Sequence, residues 1–213
     1  MKDTDTPVSH PVLVIVGGLP ATGKTNLAQR IAAHFVLPLM IKDCIKEVLC
    51  DVLGCADLPQ SQKVGQASML LLYQFAEAVL ATQQSCVIES PFHPEFSTSD
   101  LLKLQQRCPF TPLQIHCRTD NAVLIERWRQ RIASGERHPG HMDSLRGFDV
   151  NITHMQEHSH PLALDGLVIE LDTTSFESID YAALFAQMEH MLHQAASVWR
   201  TAPLRRSSPC SGF

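Results

Sequence analysis

Basic residues are scarce in this chain: 17 Lys plus Arg stand against 22 Asp plus Glu over 213 residues, a net charge of −5. Duplex nucleic acid is held by many Lys and Arg against phosphate, so this balance argues against a protein that wraps it. Aromatic residues make up only 6%, and no basic and aromatic interleaving suited to base stacking occurs. No apolar run reaches the length of a membrane span. Residues 1–10 lack the apolar centre of a signal peptide. The seven cysteines include no Cys-x-x-Cys pair. The expectation is buried thiols in a soluble protein of the reducing cytoplasm.

What is present is a large apolar complement, 45% of residues, enough for the core of one α/β domain. The domain is expected over residues 11–200, with 1–10 and 201–213 as flexible tails. Short apolar runs alternate with longer helical patterns, which predicts a parallel sheet with crossover helices. The strands are read at Val12–Val16, Pro38–Ile41, Cys86–Ile88, Leu113–Cys117 and Leu167–Leu171. Helices are expected from Lys24, over Asp43–Leu53, over Gln62–Thr82, over Ser99–Arg107 and over Asp120–Ala133. A last helix carries Tyr181, Leu184, Phe185 and Met188 on one face, after a capping box at Thr174-x-x-Glu177. Ser134–Gly140 reads as a polar loop.

Between the first strand and the first helix lies Gly18-Leu19-Pro20-Ala21-Thr22-Gly23-Lys24-Thr25. This is the Gly-x4-Gly-Lys-Thr phosphate loop in the context that gives it meaning. Backbone N–H groups in so tight a loop converge on phosphate oxygens, and glycines leave out the Cβ atoms that would block approach. The helix N-terminus adds partial positive charge. Lys24 reaches toward the β- and γ-phosphates of ATP, and Thr25 offers a hydroxyl to Mg²⁺. No Asn-Lys-x-Asp for reading guanine is present. The third strand ends Val87-Ile88-Glu89-Ser90, without the Asp-Glu of a motor ATPase. A kinase fits this length and pattern better than a GTPase or a motor.

Two further segments carry a family resemblance over roughly residues 12–172. One is Ile41-Lys42-Asp43-Cys44-Ile45-Lys46. The other is Glu126-Arg127-Trp128-Arg129-Gln130-Arg131, followed by Gly135-Glu136-Arg137-His138-Pro139-Gly140-His141. With the phosphate loop, they resemble the small P-loop kinases grouped with zeta toxins, chloramphenicol phosphotransferase and the kinase domain of polynucleotide kinase, in particular the predicted kinases of AAA type. The resemblance implies that Asp43 receives the proton of the acceptor hydroxyl, with Lys46 where arginine is usual. It implies that Arg127 and Arg131, four apart on a lid helix, stabilise charge on the transferring phosphoryl group. Arg137 and His141 fall in a lid segment. Glu89 stands where the family usually shows Asp, so it serves either Mg²⁺ or the acceptor. His93 lies just beyond it and is a candidate for lining the acceptor pocket. His138, His141 and Asp143 are close in sequence, but no zinc spacing fits them.

The expectation is therefore an α/β P-loop NTPase sandwich with a five-stranded parallel sheet and a helical lid. It binds Mg-ATP and phosphorylates a hydroxyl of a small molecule, whether antibiotic, nucleoside or sugar-like. Tight nucleic-acid binding is not expected. The alternatives are a polynucleotide 5′-hydroxyl kinase and an ATP-binding regulator without catalysis. The acceptor's identity and the oligomeric state are not legible.

Overall fold

In the computed structural model, residues 10–145 and 148–197 are described. The two expected tails, apart from His10, and Cys210 lie outside these residues. Five strands form one sheet in the order β2-β3-β1-β4-β5: β1 (Val12–Gly18), β2 (Leu39–Ile41), β3 (Cys86–Glu89), β4 (Thr111–Arg118) and β5 (Leu167–Asp172). Every pairing is parallel. Parallel strands need crossover connections, and these are helices covering both faces. They are α1 (Lys24–Phe35), α2 (Lys42–Leu53), α3 (Leu58–Ala81), α4 (Pro94–Arg107), α5 (Asn121–Ala133), α6 (Phe148–Glu157) and α7 (Tyr181–Ser197).

The alternation of side chains along β1 divides the core. Leu13 and Ile15 pack with Leu72, Leu80, Leu101 and Leu104 of α3 and α4. Val12, Val14 and Val16 face the other way, against Leu27 and Ile31 of α1 and Leu184 and Met188 of α7. All seven residues of β1 are buried, which fixes the sheet centre and the loop that leaves it. A smaller cluster of Leu19, Leu124, Trp128 and Ile152 seats α5 and α6 over the phosphate loop.

Several local expectations are corrected. Helix α3 begins at Leu58 rather than Gln62, because the Asp57 side chain accepts from Gln60 N and Pro59 stands in the first turn. It is thereby long and apolar enough to cross a membrane by length and composition. Here it covers the sheet, burying Leu72, Tyr73, Ala76 and Leu80. Helix α4 begins at Pro94 rather than Ser99, and α6 was not anticipated. The capping box at Thr174 does not form. The Thr174 hydroxyl accepts from Asp120 N at 2.9 Å, residues Phe176–Ser178 make a 3-10 turn, and the Asp180 carboxylate accepts from Ala183 N in the first turn of α7. Of the cysteines expected as thiols, Cys50 and Cys55 are joined in a disulfide. Cys86, Cys108 and Cys117 are free and buried, and Cys44 is free and exposed.

Candidate active site

The phosphate loop is shaped by its own backbone. Gly18, Ala21 and Gly23 have φ of 134°, 66° and 81°. A Cβ at Gly18 would run into the Cys117 carbonyl, and one at Gly23 into the Phe176 ring. Gly18 is therefore required by space as well as by conformation, and Gly23 by its conformation. The Leu19 carbonyl accepts from Thr22 Oγ1 at 2.8 Å and from Lys24 Nζ at 3.2 Å. No acidic residue of α1 itself lies in its first turn, and its N-terminal dipole faces the loop.

Glu89 ends β3 beside this loop and is 3% exposed. Its Oε2 accepts from Thr25 Oγ1 at 3.3 Å, and Lys24 Nζ lies 3.8 Å from Oε1. Burial pushes the Glu89 carboxyl above its ordinary range, against the pull of Lys24. The sequence left Glu89 between two tasks; the structure sets it against Thr25. Hydroxyl and carboxylate oxygens in contact are the donor set Mg²⁺ prefers. Thr25 and Glu89 thus fit the ion that accompanies ATP.

Asp43 lies in the first turn of α2, directly after β2. The cap position is Ile41, which makes no side-chain capping bond. The Asp43 carboxylate faces cations instead. Lys42 Nζ is 3.0 Å from one oxygen, Arg137 Nη2 is 2.8 Å from the other, and Arg131 Nη2 is 4.0 Å away. Burial alone would raise this carboxyl, but the charges of Lys42 and Arg137 hold it well below the usual carboxylate range. It is fully ionised at neutral pH.

Arg137 binds the lid to α2. Its Nε donates to Asp143 at 3.0 Å, and Nη1 lies 3.8 Å from Glu47. His138 bonds Asp51 at 2.9 Å and His141 bonds Glu47 at 2.8 Å. Asp43, Glu47 and Asp51 recur every four residues on one helical face, so the short 3-10 turn Pro139–His141 meets an acidic stripe. Burial drives His141 down to about 3; it is neutral and donates from Nε2 to the Glu47 carboxylate. Ser61 Oγ donates to the Gly140 carbonyl at 2.7 Å.

The expected arginine pair is separated. Arg131 faces Asp43, but Arg127 donates to the Thr173 and Thr174 carbonyls, each at 2.9 Å. Its guanidinium also lies 4.1 Å over the Phe176 ring. The loop after β5 engages Arg127, one turn before Arg131 on α5. Lys46, expected to bind substrate, is 2% exposed and donates to Ser61 Oγ at 2.7 Å. It borders a cavity of about 730 Å³, with Lys42 and His93, but its ammonium braces α2 against α3. The residue that sequence reasoning undervalued is Arg137, the cation closest to Asp43. Its signal was the Arg-His-x-x-His spacing opposite the acidic stripe of α2.

These positions lead to a contrasting pair of expected results. Arg131→Ala should lower kcat by roughly 10²-fold, the usual loss on removing one donor to developing charge, with nucleotide affinity little changed. Arg127→Ala should instead lower Tm by several degrees, because two carbonyls lose their donor in a domain of this size. Steady-state kinetics and thermal unfolding on the same preparations check both.

A family model described as an AAA domain matches residues 13–146, and the chain belongs to that family. It is a P-loop protein of nucleotide-binding type. The crystal structure of a candidate kinase from Chloroflexus aurantiacus is 38% identical, with a TM-score of 0.80 over 86% of this chain and 99% of that one. Kti12 of Chaetomium thermophilum, solved with ADP-AlF3, shares the fold at 16% identity, with a TM-score of 0.56 over 89% of this chain and 98% of that one. No curated protein matches the chain.

Proposed function

We propose that the protein is an ATP-dependent kinase that phosphorylates a hydroxyl of a small molecule. The observation that carries this reading is Asp43: an ionised carboxylate flanked by Arg131 and Arg137, across from the phosphate loop, with Lys42 shared between it and the large cavity. The similarity to the Chloroflexus protein supports the same reading. So does the narrower resemblance to zeta toxins and chloramphenicol phosphotransferase, carried by Asp43 and Arg131.

In the reaction, the acceptor oxygen attacks the γ-phosphorus in line. The bond from that phosphorus to the ADP oxygen breaks, and ADP leaves with the electron pair. The acceptor's proton passes to Asp43, which orients the hydroxyl beforehand. Lys24 holds the β- and γ-phosphates. Arg131 and Arg137 stand where equatorial oxygens gain charge. Thr25 and Glu89 would hold Mg²⁺, which would supply neutralisation of phosphate charge.

Incubation with ATP and a panel of alcohols, read as a mass gain of one phosphate on an acceptor, tests the proposal. Its scope is tested by a 5′-hydroxyl oligonucleotide in a fluorescence-anisotropy titration. Among the described residues, Arg131 and Arg137 are ion-paired with Asp43 and the acidic stripe of α2 lies beside them, which interrupts a cationic track for a phosphate backbone. Binding weaker than micromolar at physiological salt is expected. Sub-micromolar binding with a steep salt slope would replace the small acceptor with nucleic acid.

A further inference from the structure

The cavity beside Asp43 has a chemistry of its own. At about 730 Å³ it is far larger than a bare sugar requires and lies in the range of sites for drug-sized ligands. Its apolar lining comes from Met69 and Leu70 of α3, from Phe92, and from Phe96 of α4. Phe96 is 68% exposed and Leu70 52% exposed, so two large apolar side chains stand uncovered at one opening.

The charged residues around it already have partners. Lys42 pairs with Asp43, Lys46 donates to Ser61, and Asp100 lies 3.7 Å from Lys103. Asp43 neutralises Lys42 and Lys46 is 2% exposed, so neither cation presents an uncompensated charge to an ionic group on a ligand. Polar groups suited to neutral partners include the amides of Gln62 and Gln66, one turn apart on α3, and the Tyr73 hydroxyl, which is buried without a hydrogen-bond partner among the described residues.

Gly65 gives an independent sign of what the space is for. It lines the cavity from the middle of α3. Its φ is ordinary, and a Cβ there would meet nothing within 4 Å. Neither conformation nor packing requires glycine, which costs the helix about 1 kcal/mol relative to alanine. Its effect is to leave room above the helix.

We infer that this cavity takes the acceptor, and that the acceptor is a neutral alcohol bearing an aromatic or alicyclic ring, rather than a bare or phosphorylated sugar. The inference rests on the kinase reading above. The ring lies on Phe96, Met69 and Leu70 over Gly65, and the reacting hydroxyl points past Lys42 to Asp43.

The test uses matched acceptors on the full chain: glucose, glucose 6-phosphate and phenyl β-glucoside, then ribose and adenosine, then glycerol and its phenyl ether. Transfer is followed with γ-labelled ATP, and binding of the same compounds by saturation-transfer NMR with Mg-ADP present. The ring-bearing members should show kcat/KM at least tenfold above their parents. Phe96→Ala should raise their KM about tenfold and leave that of the parents alone. Gly65→Leu, which fills space without opening the core, should raise the Tm slightly because leucine is the better helix former, keep ATP affinity, and abolish NMR transfer to the ring protons. Preference for glucose or glucose 6-phosphate, with transfer still dependent on Lys24, would overturn the inference and leave the kinase reading standing. So would NMR contact that survives Gly65→Leu, or the absence of both transfer and contact for all three ring-bearing compounds. Loss of ATP binding by the native chain would instead remove the kinase reading itself.

Discussion

Lys24→Ala should reduce phosphoryl transfer by about 10³-fold or more, since it removes the cation that bridges two phosphates at the centre of the loop. The fold should survive. The loop is held by backbone conformation at Gly18 and Gly23 and by Thr22 bonded to the Leu19 carbonyl, none of which needs the ammonium. One electrostatic adjustment is expected. Glu89 is buried, and Lys24 at 3.8 Å opposes the upward push of burial on its carboxyl. Without Lys24 that carboxyl is lifted further, and it takes up a proton at higher pH. Mg²⁺ affinity in the presence of ATP should therefore fall alongside the rate. Calorimetric titration of nucleotide with and without Mg²⁺, beside circular dichroism, checks the pair of effects. Undiminished transfer in this variant would end the reading of the loop as an ATP site.

Local signals made much of this legible before any coordinates. β1 announced itself as an unbroken apolar run, and the residues after it could be read as a phosphate loop from the Gly-x4-Gly-Lys-Thr pattern between a strand and a helix. Asp43 was legible only through the family resemblance carried by Ile41-Lys42-Asp43-Cys44-Ile45-Lys46 just after the second strand. What failed to show were contacts made over long separations. Arg137 reaches Asp43 across 94 residues, and its one signal, the Arg-His-x-x-His spacing, gains meaning only when matched to the four-residue acidic stripe of α2. Arg127 and Arg131 share a spacing, yet they diverge because the Thr173 and Thr174 carbonyls, 46 and 47 residues away, engage only the first. The Thr174 capping box failed for the same reason: its hydroxyl bonds Asp120 instead of a helix end. Cys50 and Cys55 gave no metal or redox motif, and their pairing depends on how α2 turns out at Gly54, where the amide bonds back to the Cys50 carbonyl.

Asp43→Asn should lower kcat by roughly 10² to 10⁴-fold, the range for loss of a positioned base, while ATP affinity changes little. The reasoning combines charge and position. Lys42 and Arg137 hold this carboxyl well below its ordinary range, over the opposing effect of burial. A carboxylate so stabilised is a weak base in the resting enzyme. On the kinase reading we propose, its contribution would be to fix the acceptor oxygen and accept a proton whose acidity rises as the bond to phosphorus forms. Because the folded value is depressed, the stability Asp43 supplies is present above the unfolded value, about 3.9, and is lost only as pH falls below that toward the folded value. The acid side of a kcat profile between pH 5 and 8 should therefore show no titration of Asp43, and the Asn variant should be slower at every pH in that span. Asn also leaves Lys42, Arg131 and Arg137 without the anion between them, so a lower Tm is expected with it. Asp43→Glu separates the two effects: it restores the anion and Tm, but sets its oxygens one carbon farther out, and kcat should stay depressed. Full activity in the Asn variant would remove Asp43 from the chemistry. Collapse of ATP binding would assign it to the metal or to the lid instead.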